Sequence, residues 1–140
     1  MLTFIGIGLW DEKDITVRGL EAIKQADYVY LECYTGILGI PASKLKRFYE
    51  KDIILANRTM VEQEADEILD KAVDHNVVFL VVGDPFAATT HSDLLLRAVE
   101  RNIECHTIHN ASVFTAIGST GLQLYKFGKT TSLVLSLIHI

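Results

Sequence analysis

The chain has 140 residues, 49% of them hydrophobic, which suits a single domain with a real core. A formal charge of −5 and an isoelectric point near 5.5 speak against a nucleic-acid-binding surface, which needs a basic patch. With no apolar run near the ~20 residues that span a bilayer, and no basic start or cleavage site typical of a signal peptide, the expectation is a cytoplasmic protein without a membrane partner.

Cys33 and Cys105 share no motif spacing, as expected of free thiols in a reducing compartment. Leu2 to Ile7 reads as a first buried strand ending in Gly6-Ile7-Gly8-Leu9. A dinucleotide fingerprint would need a third glycine where Asp11 stands, and no helix follows at once. The glycines fit a strand end and turn as well as a cofactor contact. Asp14 or Thr16 caps the next helix, on which Val17, Leu20 and Ile23 make an apolar stripe. Tyr28 to Cys33 is a second strand, and Glu32 near its end is a loop carboxylate or a site group.

Gly36 to Pro41 is a loop. Ala42 to Tyr49 is a short helix with Lys44, Lys46 and Arg47 on a solvated face, and Ile53 to Ala56 is a third strand. Thr59 and Glu62 have capping-box spacing and open one helix carrying Val61, Ala65, Ile68, Leu69 and Ala72 on a single face. Its carboxylates, among them Glu62, Asp66 and Asp70, suit a solvated face better than a metal site.

The stretch from Asn76 to Asp93, NVVFLVVGDPFAATTHSD, organises the rest. Val77 to Val82 is a continuous apolar run, as in a strand buried on both faces of a parallel sheet. Gly83-Asp84-Pro85 stops it, and Thr90 with Asp93 marks the head of a helix bearing Leu94, Leu95, Ala98 and Val99. Glu104 to His109 is a fifth strand. Its period of two sends His106 and His109 to opposite faces, so they cannot share one metal, and no metal is expected. Asn110 or Ser112 caps a helix through about Gly118, Gly121 to Gly128 connects, and Thr131 to Leu135 starts another strand. Strands alternating with helices give the α/β class: a parallel five-stranded sheet flanked by helices. Such sheets take ligands at their carboxyl edge.

GDPFAATTHSDL, with MLTFIGIGLWDEKDIT, VEQEADEIL and IHNAS, resembles the diphthine synthase family of the tetrapyrrole-methylase-like superfamily, from Met1 to about Leu135. The resemblance implies an S-adenosylmethionine-dependent methyltransferase of diphthamide biosynthesis, acting on a modified histidine of translation elongation factor 2. It implies a donor-binding α/β domain over 1–112, a linker helix and the start of a second domain over 113–134, and a homodimer at full length. By the same resemblance Leu9, Asp84, Ala87, Ser112 and Val113 line the donor site. Ala87 is a departure, since eukaryotic-type members have glycine there and archaeal-type members a larger residue.

No catalytic residue is assigned, because in the family the nucleophile belongs to the substrate. His91 reads as a general base or as a first-turn helix residue with hydrogen bonds to make. Two other readings stay open: a tetrapyrrole or ribosomal RNA methyltransferase of the same superfamily, and a non-catalytic binding fragment. The resemblance ends at Leu135 to Ile140, LSLIHI, and the expectation is a non-native tail on an incomplete, inactive fragment.

Overall fold

A computed structural model describes residues 1–122, 125, 126, 128–131 and 133. The strand expected over 131–135 falls largely outside these residues, and the expected tail over 135–140 wholly so. The elements in chain order are β1 (Leu2–Gly6), α1 (Val17–Gln25), β2 (Tyr28–Glu32), α2 (Ala42–Tyr49), β3 (Ile54–Ala56), α3 (Arg58–Glu62), α4 (Asp66–Asp74), β4 (Val77–Val81), α5 (Ser92–Glu100), β5 (Cys105–Ile108) and α6 (Val113–Ala116). Short 3₁₀ turns at Glu12–Asp14 and Ile117–Thr120 complete the set. No helix among the described residues is long and apolar enough to cross a membrane.

The strands form one sheet in the order β3-β2-β4-β1-β5, with every ladder parallel. β4 is central, pairing with β1 from Leu2↔Val77 to Gly6↔Val81 and with β2 on its other side. Its side chains alternate between two cores, as strand geometry requires. Val77, Phe79 and Val81 join Phe4, Tyr30, Ile68, Leu69, Leu94 and Ala98 beneath α4 and α5. Val78 and Leu80 join Ile5, Val29, Leu31, Ile23 and Leu45 beneath α1 and α2. Each large apolar side chain fully buried in this way contributes about 1.5–3 kcal/mol.

Several caps differ from the local pattern. Thr16 caps α1 through the Gly19 amide, but Val17 is 76% exposed, and the buried face is carried by Gly19 and Ile23. Gly19 brings the helix close to the sheet, since a Cβ there would meet Ile5 Cγ2 at 3.1 Å. The single helix expected from Thr59 is two. Asn57 takes the Met60 amide and starts α3, and Glu62 faces Arg58 at 3.9 Å instead of closing a capping box. The Gln63 and Glu64 amides both turn to the Thr59 carbonyl, which ends α3 before α4 begins. Val61, Ala65, Ile68, Leu69 and Ala72 are still all buried, because burial follows the shared apolar face. At α5 the cap position is His91. Thr90 is exposed and leaves the helix without a side-chain cap.

Candidate functional site

At the carboxyl edge of the sheet, the loops after β1, β4 and β5 are bonded to one another. Gly8 and Gly83 form an isolated antiparallel bridge in which the Gly83 N–H donates to the Gly8 carbonyl at 2.7 Å and the Gly8 N–H returns the bond at 3.3 Å. Both have positive φ, +76° and +74°, which glycine adopts without penalty. Gly6 lets the loops touch: a Cβ there would lie 2.4 Å from the Gly83 carbonyl oxygen and 2.8 Å from Asn110 Cβ.

Asn110 is the second tie. Its side-chain amide donates to the Gly6 carbonyl at 3.0 Å and the Asp14 carbonyl at 2.9 Å, while its Oδ1 accepts from the Ala111 amide at 2.7 Å. It is a loop bracket. The cap of α6 is Ser112, in a capping box with Thr115. Asp14 likewise does not cap α1. Its Oδ2 accepts from the Trp10 amide at 2.8 Å and the Leu9 amide at 3.3 Å, closing the loop after β1.

Asp84 is the third tie. Its buried carboxylate accepts from the Phe86 amide at 3.0 Å and the Asn110 amide at 3.1 Å, with His109 Nδ1 at 2.7 Å. Burial alone would raise its pKa. The Phe86 amide, His109 and the Asn110 amide outweigh that and hold it below the ordinary 3.8. Asp84 therefore spends most of its lone pairs on its own loops.

Leu9, Ala87, Ser112 and Val113 come together on one cleft of about 100 Å³, whose other walls are Thr35, Gly36, Val82, Gly83, Ala88 and Thr89. Asp84 stands beside it, outside the lining. Leu9 is 36% and Val113 56% exposed, so the cleft offers apolar side chains to a ligand. Gly83 keeps its floor open, since a Cβ there would stand 3.5 Å from Leu9 Cδ2 and 3.7 Å from Ser112 Cα. The volume is below the ~300–1,000 Å³ of sites that enclose a drug-sized molecule.

Behind the cleft, Glu32 is buried. It accepts from the Tyr34 amide at 2.7 Å, the Thr35 hydroxyl at 2.6 Å and the Thr35 amide. Burial would raise its pKa, and His91, the Thr35 hydroxyl and the two amides lower it below 4.5. His91 Nε2 stands 3.7 Å from Glu32 Oε2, too far for a hydrogen bond, so the hydrogen bonds expected of His91 are absent among the described residues. His106 contacts Glu104 and His109 contacts Asp84. No group of three or more His, Cys, Asp or Glu side chains among the described residues is placed to hold a metal ion.

Over residues 1–139 the sequence matches the family Tetrapyrrole (Corrin/Porphyrin) Methylases. The chain belongs to this family. Among the methylases it is similar to the diphthine methyl ester synthase of Yarrowia lipolytica, 60% identical over 136 residues covering 96% of this chain and 45% of the relative. The Bos taurus diphthine methyl ester synthase is 58% identical over 134 residues, covering 96% and 47%. A crystal structure of diphthine synthase superposes with a TM-score of 0.87 at 43% identity, over 91% of this chain and 51% of that one. A putative diphthine synthase from Entamoeba histolytica gives 0.81 at 53% identity, over 91% and 48%. The chain spans about half the length of the curated relatives it matches. The five-stranded parallel sheet is the architecture it shares with the solved methylases.

Proposed function

We propose that the chain is the donor-binding half of an S-adenosylmethionine-dependent methyltransferase of diphthamide biosynthesis, whose substrate is the modified histidine of translation elongation factor 2. The observation that carries this reading is the three-loop junction: Gly8, Gly83 and Asn110 lock the strand ends into a cleft flanked by Leu9, Ala87, Ser112 and Val113. Its likeness to diphthine methyl ester synthases narrows the chemistry. Residues 1–112 form the donor domain, a second domain beginning within 113–134 supplies the rest of the pocket, and the whole protein is a cytoplasmic homodimer.

When bound, S-adenosylmethionine supplies an electrophilic methyl group on a sulfonium sulfur. The protein's task is then to orient the donor and exclude water, and proximity alone supplies much of such an acceleration. Leu9, Ala87 and Val113 offer apolar walls, and Ser112 fixes the head of α6 beside them. Asp84 serves chiefly by holding the loops after β4 and β5 at a fixed separation. No side chain of this half is assigned a proton-transfer role.

The test is methyl transfer from labelled S-adenosylmethionine to the diphthamide-pathway intermediate of elongation factor 2, with the Bos taurus relative as a positive control. This chain alone is expected to bind the donor at least tenfold more weakly than the relative, equivalent to ~1.4 kcal/mol or more of lost contacts, and to transfer no methyl group. Gly83→Ala should weaken that binding further. Relative-like affinity in the isolated chain, or turnover by it, contradicts the half-site reading. Absence of any donor binding contradicts the donor-site reading.

A further inference from the structure

Two buried ionisable side chains, Glu32 and His91, have no place in the chemistry above. Neither lines the cleft, yet each belongs to one of its walls. Thr35 and Gly36 form the wall that follows β2, and Ala87 to Thr89 form the wall that follows β4 and runs into His91 at the head of α5. Glu32 gathers the first wall. Its Oε1 takes the Tyr34 and Thr35 amides and its Oε2 the Thr35 hydroxyl. On the side of the carboxylate left free by these donors stands His91 Nε2, 3.7 Å from Oε2.

His91 is 0% and Glu32 1% exposed. The imidazole is held edge-on by Phe79, at 5.1 Å and 77° between rings, and by Tyr34, at 5.9 Å and 83°. Neither ring nitrogen makes a hydrogen bond to the described residues. Packing alone does not account for an imidazole here. Burying its nitrogens without partners carries a penalty that an apolar side chain of similar volume avoids. A buried carboxylate, for its part, needs neighbours that offset its charge, and from outside its own loop His91 Nε2 stands 3.7 Å from Oε2.

We infer that Glu32 and His91 form a buried brace that fixes the spacing of the two cleft walls, and that both are positioning residues for the methyl donor. This rests on the donor reading of the cleft. Among the described residues the loop after β2 meets the β4 side through this pair, through the Tyr34 ring packed on His91, and at Gly36, where a Cβ would press on Val82 Cβ at 3.1 Å. The other loops have the Gly8–Gly83 and Asp84–Asn110 bonds. Without the brace, fewer contacts hold Thr35–Gly36 at a fixed distance from Ala87–Thr89.

The experiment is an amide-resolved NMR titration of the ¹⁵N-labelled protein with S-adenosylmethionine, in the wild type and in Glu32→Gln, His91→Leu and His91→Gln, with urea unfolding of each. In the wild type, the donor should move the amide signals of Thr35, Gly36, Ala87 and Ala88 together. His91→Leu keeps the volume and removes the nitrogens, so it should unfold no more easily than wild type yet bind the donor about tenfold more weakly. Glu32→Gln should lose donor affinity to a similar degree. His91→Gln keeps a donor group near the position of Nε2 and should stay within about threefold of wild type. A purely structural role predicts instead that affinity follows stability. Wild-type donor affinity in both His91→Leu and Glu32→Gln overturns the inference. If the wild type itself shows no donor-induced shifts, the donor reading fails, and amide exchange decides the brace. Faster exchange at Thr35 and Gly36 in His91→Leu supports it, and unchanged exchange overturns it.

Discussion

Replacing Gly6 by alanine tests the three-loop junction directly. The added Cβ would stand 2.4 Å from the Gly83 carbonyl oxygen, 2.8 Å from Asn110 Cβ and 3.2 Å from the Asn110 amide nitrogen. Two of these neighbours are backbone, so no side-chain rotation relieves the contact. The loop after β4 must move away by the better part of an ångström. That displacement strains or breaks the Gly8–Gly83 bridge and loosens the bond from the Asn110 side chain to the Gly6 carbonyl. Overpacking of this kind costs about 1–3 kcal/mol. The two bridge bonds add about 0.5–1.5 kcal/mol each if lost, for a range of about 2–6 kcal/mol. At roughly 3–5 °C per kcal/mol for a domain of this size, the melting temperature should fall by 6 °C or more. Circular dichroism melts of wild type, Gly6→Ala and Gly118→Ala measure it. Gly118 has nothing within 4 Å of a built Cβ and serves as the neutral control. A Gly6→Ala melt within about 2 °C of wild type would refute the claim that the loops are locked by backbone contact.

Asp84→Asn should destabilise by about 1–3 kcal/mol at neutral pH, since it weakens charge-assisted bonds from Phe86, Asn110 and His109. The folded pKa of Asp84 lies below the ordinary 3.8, so its contribution is complete above that value and fades as pH falls through the folded one. Urea unfolding of the pair at stepped pH should therefore show the two curves drawing together as pH falls below 3.8, and a gap that stays undiminished in acid would contradict the assignment. Ala88 holds φ at +59° in an exposed part of the same loop. Ala88→Gly should raise stability by about 0.5–1 kcal/mol, the relieved left-handed strain exceeding the added entropy of the unfolded chain. A lower urea midpoint in Ala88→Gly would count against strain at that residue.

Much of the fold is legible in local pattern. The apolar run Val77 to Val82 announces a central strand because a strand covered on both faces has no polar positions to alternate. Ala42 to Tyr49 and the buried set Val61 to Ala72 are also visible, because burial follows a side-chain period that the sequence carries on its own. Caps are less legible. Asn57, Thr59, Asp14, Thr16 and Thr90 are all competent acceptors, and the choice among them is made by amides and loops brought near from elsewhere. The cleft is legible as a place, the carboxyl edge. Its ties are not, since Asn110 reaches back across nearly the whole chain to the Gly6 carbonyl and no spacing rule spans such a distance. Glu32 is left open between a loop carboxylate and a site group, because nothing local announces that it ends β2 buried with His91 3.7 Å away.

The position of β1 between β4 and β5 has a consequence for synthesis on the ribosome. Leu2–Gly6 is made before both of its neighbours and cannot find either until Val77–Val81 and then Cys105–Ile108 have left the exit tunnel. At ~5–20 residues per second, that leaves its apolar side chains and open backbone edge waiting for on the order of 4 to 15 s. The β2–β3 pair needs only the segment containing α2 between its strands, so it can assemble while β1 is still unpartnered. The nascent chain should therefore bind chaperones through β1, and release should coincide with the emergence of β4.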